Sequence, residues 1–376
     1  MAPWLAWSGP VGGPATVPAD GEEESVAGSI GLGWLFEGFN RVDVEGEALI
    51  ASDITVLRTS ASYEQERGDI TVGATLGYTD FDVDYSGSGP TVDSNRSESN
   101  RVGQLDLGWK ANPNLEITAL GRAYDGYPDY RAIWIAEFFR QTSPSQLGYQ
   151  PPNPWGWAVG AAVAWDMVPG ATRVTVDVGY GEGHIVESWG FPAVFPPGPP
   201  ILERGIARLD TVSGGVVWEQ AVNGWLKTEN SFRISKITDR EPRIQVQTSW
   251  AAALGQKVTV RVNAGATRER PDFEAYYAGG LVDVELLPAW HVSLHGRYYS
   301  DTGEIETSGR TTAAPDLQSY EIGASLLYDK GDLAVRVYGG LFPSFFGALD
   351  VENFVFGDLY RDREWWVTRL AISYSF

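Results

Sequence analysis

The chain contains no cysteine, which excludes disulfides, thiolate metal centres and cysteine nucleophiles. Histidine is nearly as scarce, with three in 376 residues. Basic residues are outnumbered, 28 Lys and Arg against 49 Asp and Glu, for a net charge of −21. No nucleic-acid partner is expected, because such binding rests on basic contacts to phosphate. Long apolar runs are missing as well. The longest nearly apolar stretch, Trp157 to Trp165, is far short of the roughly 20 residues a membrane-crossing helix needs. Residues 1–25, rich in Gly, Pro and acid, lack a basic region followed by an apolar core. They are expected to form a disordered or extended leader, from which any export signal has been removed, with the folded part at 26–376.

What the chain does have is Gly (44), Trp (15) and Tyr (17), and one repeating pattern. From Trp366 the even positions read Trp, Thr, Leu, Ile, Tyr, Phe, with Val367, Arg369, Ala371, Ser373 and Ser375 between them. Ile70, Val72, Ala74, Leu76 and Tyr78 alternate with Thr71, Gly73, Thr75 and Gly77. The same holds for Val174, Val176, Val178 and Tyr180 against Arg173, Thr175, Asp177 and Gly179. A period of two means strands with two chemically different faces. The connections alternate in kind. Short turns stand at 67–69, 111–114, 167–171, 222–224, 255–256, 287–289 and 330–332. Between them come long segments at 86–98, 125–156, 188–205, 307–316 and 347–361, and two short ones near 240 and 271. This spacing predicts an all-β, up-and-down antiparallel barrel of about sixteen strands (14–18), the first at Ser29 to Phe39 and the last ending at Phe376. An even number places both termini on the short-turn side.

A soluble sandwich also alternates, so the aromatics decide. Tyr63, Trp109, Trp165, Trp290, Tyr328 and Phe376 cluster beside the short turns on the apolar parity, whereas Trp225 there has the other parity. Tyr78, Tyr180, Tyr298 and Trp366 sit eight to ten residues further along. At about 3.3 Å per residue and a tilt near 40° the two rows are roughly 20–25 Å apart, close to the apolar band of a transmembrane barrel. Trp109, Trp165, Trp290, Tyr328 and Phe376 are therefore the expected membrane girdle. The opposite face is polar and often charged, which a packed core would not tolerate.

The closing stretch RLAISYSF, an alternating strand ending on Phe376, resembles the C-terminal signal of bacterial outer-membrane β-barrel proteins, and the sixteen-odd amphipathic strands resemble porins. That resemblance implies the bacterial outer membrane, with both termini periplasmic and long loops extracellular. It also implies contact with outer-membrane lipid and lipopolysaccharide, and recognition of the last strand by the barrel assembly machinery. In general porins the third loop folds into the barrel; the alternative is a surface loop packing its aromatics on the barrel rim. Here that loop is 125–156, where Ile133, Ile135, Ala136, Phe138 and Phe139 have spacings that suit one or two helical turns.

A barrel of this size encloses more than side chains fill, so an aqueous lumen is expected. By parity, five arginines face it from seven to nine residues above their short turns: Arg58, Arg122, Arg233, Arg297 and Arg369. Glu321 shares their height and Asp177 lies slightly lower. Pairing with acids across the wall and a field that selects ions or an anionic solute are two readings of the belt, and they are not exclusive. The acids Asp80, Asp82, Asp84, Asp93, Asp125, Asp129, Glu137, Asp350, Glu352 and Asp358 crowd the long-loop side.

No enzyme, metal or cofactor is expected. His291 and His295, four apart on one strand, stand about 13 Å apart, too far to share a ligand. His291 with Asp283 or Glu285 is the one arrangement hinting at catalysis, and His184 reads as a loop residue. The functional expectation is a passive, porin-like channel for small solutes, anionic ones among them. An export pore for a polymer such as an acidic polysaccharide is the first alternative. A non-conducting surface or scaffold barrel with a plugged lumen is the second.

Overall fold

The protein is described by a computed structural model covering residues 39–85, 95–142, 153–186, 206–238, 241–270, 273–303, 315–347 and 360–376. The expected leader at 1–25 and the strand expected from Ser29 lie outside these residues, apart from Phe39. In chain order the elements begin β1 (Phe39–Ile50), β2 (Ile54–Arg67), β3 (Ile70–Asp84), β4 (Asn95–Asn112), β5 (Leu115–Gly126) and α1 (Tyr130–Thr142). Next come β6 (Trp155–Val168), β7 (Thr172–Val186), β8 (Ile206–Asn223), β9 (Leu226–Ile237), β10 (Arg243–Ala253) and β11 (Val258–Glu269). The chain closes with β12 (Phe273–Leu287), β13 (Trp290–Asp301), β14 (Leu317–Lys330), β15 (Leu333–Phe346) and β16 (Arg363–Ser375).

Every strand pairs antiparallel with its sequence neighbours. β1 closes onto β16, from Arg41 opposite Ser375 to Ile50 opposite Trp366. Closure leaves no sheet edge. The ends of β1 and β16 meet at the short-turn rim, where Asn40 and Phe376 exchange backbone hydrogen bonds.

The first strand corrects the sequence-based boundary. It begins at Phe39, where Ser29 to Phe39 had been expected, and turns back at 51–53 into β2. That turn has neither Gly nor Pro to mark it. The inward row of β1 (Arg41, Asp43, Glu45, Glu47) is so charged that its outward row (Val42, Val44, Ala48, Ile50) is easily overlooked.

Between the aromatic rows the barrel is apolar outside and polar inside. Leu76 is 71% exposed, Ile322 67% and Leu105 65%, as side chains that face lipid must be in the protein alone. Trp109, Trp165, Trp290, Tyr328 and Phe376 stand on this outward row at the short-turn rim, with Trp290 and Tyr328 in ring contact at 4.9 Å. Trp218 and Trp250 share the outward face.

Above the upper aromatics the polarity reverses. On β3 the outward residues change from Leu76 and Tyr78 to Asp80, Asp82 and Asp84, while the inward row becomes Phe81 and Val83, continued just past the strand by Tyr85, all buried. β16 does the same, with Glu364 outward and Trp365 inward. Tyrosines at the boundary hydrogen-bond the first acids beyond it: Tyr180 donates to Asp210 at 2.9 Å and Tyr276 to Glu274 at 3.0 Å. We call the part between the girdles the stem and the part above it the mouth.

Several of the short turns that reverse the stem strands use a left-handed residue. Gly68 (φ 60°), Gly170 (φ 70°) and Gly331 (φ 65°) supply it, whereas the β12–β13 turn uses Ala289 at φ 74°. An L-residue with a Cβ pays for this conformation.

Candidate functional site

Part of the mouth is occupied by α1. The chain leaves β5 at Gly126 (φ 106°), where a Cβ would lie 2.0 Å from the Ser99 carbonyl oxygen, so only glycine fits. The Asp129 carboxylate then accepts a hydrogen bond from the Ala132 amide at 2.8 Å and caps the helix. α1 has 13 residues, longer than the one or two turns expected from its sequence. Tyr130, Ile133, Trp134 and Ala136 pack into one buried cluster with the inward residues Ile54, Val56, Phe81, Val83 and Trp365. The described part of the third connection, α1, therefore packs against the inside of the wall. Ile135, Phe138 and Phe139 lie in α1, but their side chains fall outside the described set.

Polar contacts fix the helix to several strands. Tyr85, just past the end of β3, donates to the Tyr130 carbonyl at 3.0 Å. Arg96 on β4 pairs with the buried Glu137 at 2.9 Å. The Arg363 guanidinium lies 5.3 Å above the Tyr130 ring. Arg363 itself is held by Asp53 of the β1–β2 turn, which also receives Arg361. At Asp53 burial pushes the carboxyl pKa up, but the hydrogen bonds and charges of Arg363 and Arg361 outweigh this and hold it below the usual range.

Below α1, in the stem, the five expected arginines face the lumen, but they do not stand as a row of bare cations. Arg58 and Arg369 both bind Glu47 of β1, at 2.7 and 2.6 Å. Arg369 also reaches Glu321 at 3.5 Å and lies over the Tyr338 ring at 5.1 Å. The Tyr338 hydroxyl donates to Glu321 at 2.9 Å, and His295 stands 3.9 Å from the same carboxylate. Tyr338 reaches Glu321 by lying across Gly323 and Gly340, where added Cβ atoms would come within 2.2 Å of its hydroxyl. Arg297 faces Glu321 in register on the adjacent strand. On the far wall Arg233 pairs with the buried Asp177 at 3.0 Å. Arg122 has no carboxylate within ion-pair distance among the described residues.

Glu47 is the residue sequence reasoning missed. It joins two belt arginines, and it was hidden because its strand had been placed ten residues too early. The alternation of Val42 and Val44 with Asp43 and Glu45 was the available signal. Two further expectations change. His184 belongs to β7, not to a loop; it faces outward, stacked 3.9 Å from Trp155 and 2.7 Å from Glu182. His291 does approach Asp283, at 3.1 Å, and Ser293 donates to the other oxygen of that carboxylate at 2.6 Å. The carboxylate thus stands between Ser and His, whereas a nucleophile needs its base beside it. Among the described residues no group of three or more His, Asp or Glu has metal-binding geometry. Of the long-loop acids, Asp93, Asp350, Glu352 and Asp358 lie outside the described residues.

A closed sixteen-strand antiparallel barrel with a lipid-compatible outside and a charged lumen has the fold of the bacterial outer-membrane β-barrels. Solved structures agree. CdiB from Acinetobacter baumannii superposes with a TM-score of 0.52 at 10% identity, over 91% of this chain and 60% of that one. The present chain thus matches only part of the length of CdiB. A bacterial polysaccharide outer membrane secretin gives a TM-score of 0.52 at 8% identity, covering 90% and 98% of the two chains. Pseudomonas aeruginosa OccK5 gives 0.44 at 10% identity, over 90% and 98%. At these identities the likeness is one of fold. No family model matches the sequence. No curated protein matches it either.

Proposed function

We propose that the protein is a passive, porin-like channel of the bacterial outer membrane for small solutes, with its short turns and both termini on the periplasmic side. The observation that carries this reading is the stem lumen, lined by paired and unpaired charges beneath an inward-folded helix. Fixed charges on a confined wall select permeating ions more strongly than charges at an open surface. Anionic solutes are favoured where Arg122 and Arg261, which have no carboxylate within ion-pair distance among the described residues, line the lumen. The channel performs no reaction: the Ser293–Asp283–His291 contact holds the wall together and activates no nucleophile. Lipopolysaccharide surrounds the mouth. The assembly machinery reads β16 and Phe376; lower membrane levels of a Phe376-deleted chain, with refolding in detergent retained, would support that role.

Planar-bilayer recording of the refolded protein tests the channel. Discrete, steady conductance steps are expected, with a reversal potential that moves under a salt gradient. The position of α1 favours one second reading, a barrel plugged by its own third connection, and the absence of any current would establish it over the first. A polymer export path fits less well, because α1 occupies part of the mouth through which a chain would pass.

A further inference from the structure

The stem lumen has a recess on β10–β14 that the ion-pair network leaves open. It is a hollow of about 70 Å³ lined by Ser249, Arg261, Asn263, Arg297, His295 and Glu321. A cavity needs only about 10–15 Å³ on this measure to hold a water, so the space admits a small polyatomic group. Ser249, Asn263, Gly279 and Arg297 are successive register partners on β10, β11, β12 and β13. They form one rung of the wall, and Arg261 lies two residues below Asn263 on the same face. Gly279 recesses that rung. A Cβ there would stand 2.5 Å from the Asn263 amide oxygen, so any larger residue would displace Asn263.

The charge in the hollow is positive. Arg58, Arg173, Arg233, Arg243 and Arg369 each have a carboxylate within ion-pair distance. Arg261 has none among the described residues. The one acid of the hollow, Glu321, is already engaged by Arg369, the Tyr338 hydroxyl and His295. Asp283 lies lower on the neighbouring strand and is occupied by Ser293 and His291. Two guanidiniums, an amide and a hydroxyl thus line a space whose one lining carboxylate is already engaged, with Glu229, the register partner of Ser249, standing beyond it on β9. Guanidinium pairs its planar donors with two oxygens of one group.

We infer that this recess is a binding station for a small oxyanion, the carboxylate or phosphate group of a solute, held between Arg261 and Arg297 with Asn263 and Ser249 as neutral donors. The inference rests on the channel reading for its physiological meaning, but not for its test. Solutes bearing such a group pause on one side of the waist, while the paired arginines of the opposite wall only shape the passage.

The test uses inorganic phosphate and acetate on the refolded full chain in detergent, by calorimetric titration, and in planar bilayers, by block of potassium chloride current. Saturable binding and a concentration-dependent block by both anions are expected. Arg261→Gln keeps most of the side-chain bulk and should weaken both about tenfold or more, as expected for losing a charge-assisted contact. Arg261→Lys should fall between Gln and the parent. Arg268→Ala removes an outward-facing charge and should leave both unchanged. The circular dichroism spectrum of each variant reports whether it has folded. If Arg261→Gln folds and retains parental binding and block, the station is overturned. Binding without current would retain the station and remove the channel; current with neither binding nor block would do the reverse.

Discussion

Stem and mouth are made of the same sixteen strands, yet their inner and outer faces have opposite chemistry. In the stem Leu76, Leu105 and Ile322 point out, and Glu47, Arg233 and Glu321 point in. In the mouth Asp80, Asp82 and Glu364 point out, and Ile54, Phe81 and Trp365 point in. Nothing in the backbone ladder changes at the boundary; the surroundings do. Hydrocarbon outside selects apolar side chains and leaves the lumen to water. Above the upper tyrosines water lies outside, and the apolar surface is inside against α1, where burial stabilises it by about 25 cal/mol per Å². A barrel strand records which solvent it meets at each height.

The most decisive way to break this contrast is to remove α1. Replacing residues 130–142 by a flexible Gly/Ser linker exposes the apolar lining of the mouth and leaves the stem untouched. Single-channel conductance should rise severalfold, and a hydrophobic dye should bind the mouth. Unchanged conductance would mean that α1 does not narrow the path.

Next in size is the anchor that holds α1 to the wall. Asp53→Ala removes the carboxylate that balances the buried Arg363 and should cost about 3–5 kcal/mol, read from urea unfolding in detergent. The pH dependence has a definite sign. Because the Asp53 pKa is depressed in the folded protein, its contribution is fully present above the ordinary carboxylate range. It is lost as pH falls through the lower folded value. Acid should therefore loosen the mouth before the stem, seen as faster proteolysis between β5 and β6.

The contrast sharpens within a single strand. Leu76→Arg places a charge at mid-stem facing lipid and should cost about 2–4 kcal/mol. Asp82→Arg, also outward on β3, lies in the mouth and should change stability by about 0.5 kcal/mol or less. Equal costs would refute the boundary at Tyr78. Smaller still is the effect of Glu47→Gln, which removes the acid shared by Arg58 and Arg369. The reversal potential should move toward anion selectivity by a measurable step, with folding retained. The smallest effect is at the rim. Ala289→Gly relieves a left-handed alanine and should stabilise the stem by about 0.5–1 kcal/mol after glycine's entropy cost.

The stem was legible in the sequence because its two faces meet chemically unlike surroundings, and alternation is all that requires. Trp109, Trp165 and Trp290 could be placed by parity and distance from a turn alone. The mouth was harder to read. On β3, Asp80 to Tyr85 still alternates, but the apolar row has changed sides, and the pattern by itself does not say which row faces out. The lumen pairs were readable only as far as strand placement was right. Arg369 could be assigned inward from its own strand, but its partner Glu47 depended on locating β1, whose 51–53 turn carries no turn-forming glycine or proline. Ion pairs between β1 and β16 join residues more than 300 positions apart, and local pattern carries no information about register across the closure.

The reversal at Tyr78 also has an evolutionary consequence. Fit to the bilayer is set entirely between the two girdles, so substitutions in the mouth do not alter how the protein sits among lipids. The outer row there answers to water, and the inner row to the helix on one side of the barrel and to its own aromatic cluster on the other. The entrance of such a barrel can therefore diverge, exchanging one inward segment for another, while the stem stays under the fixed constraint of membrane thickness.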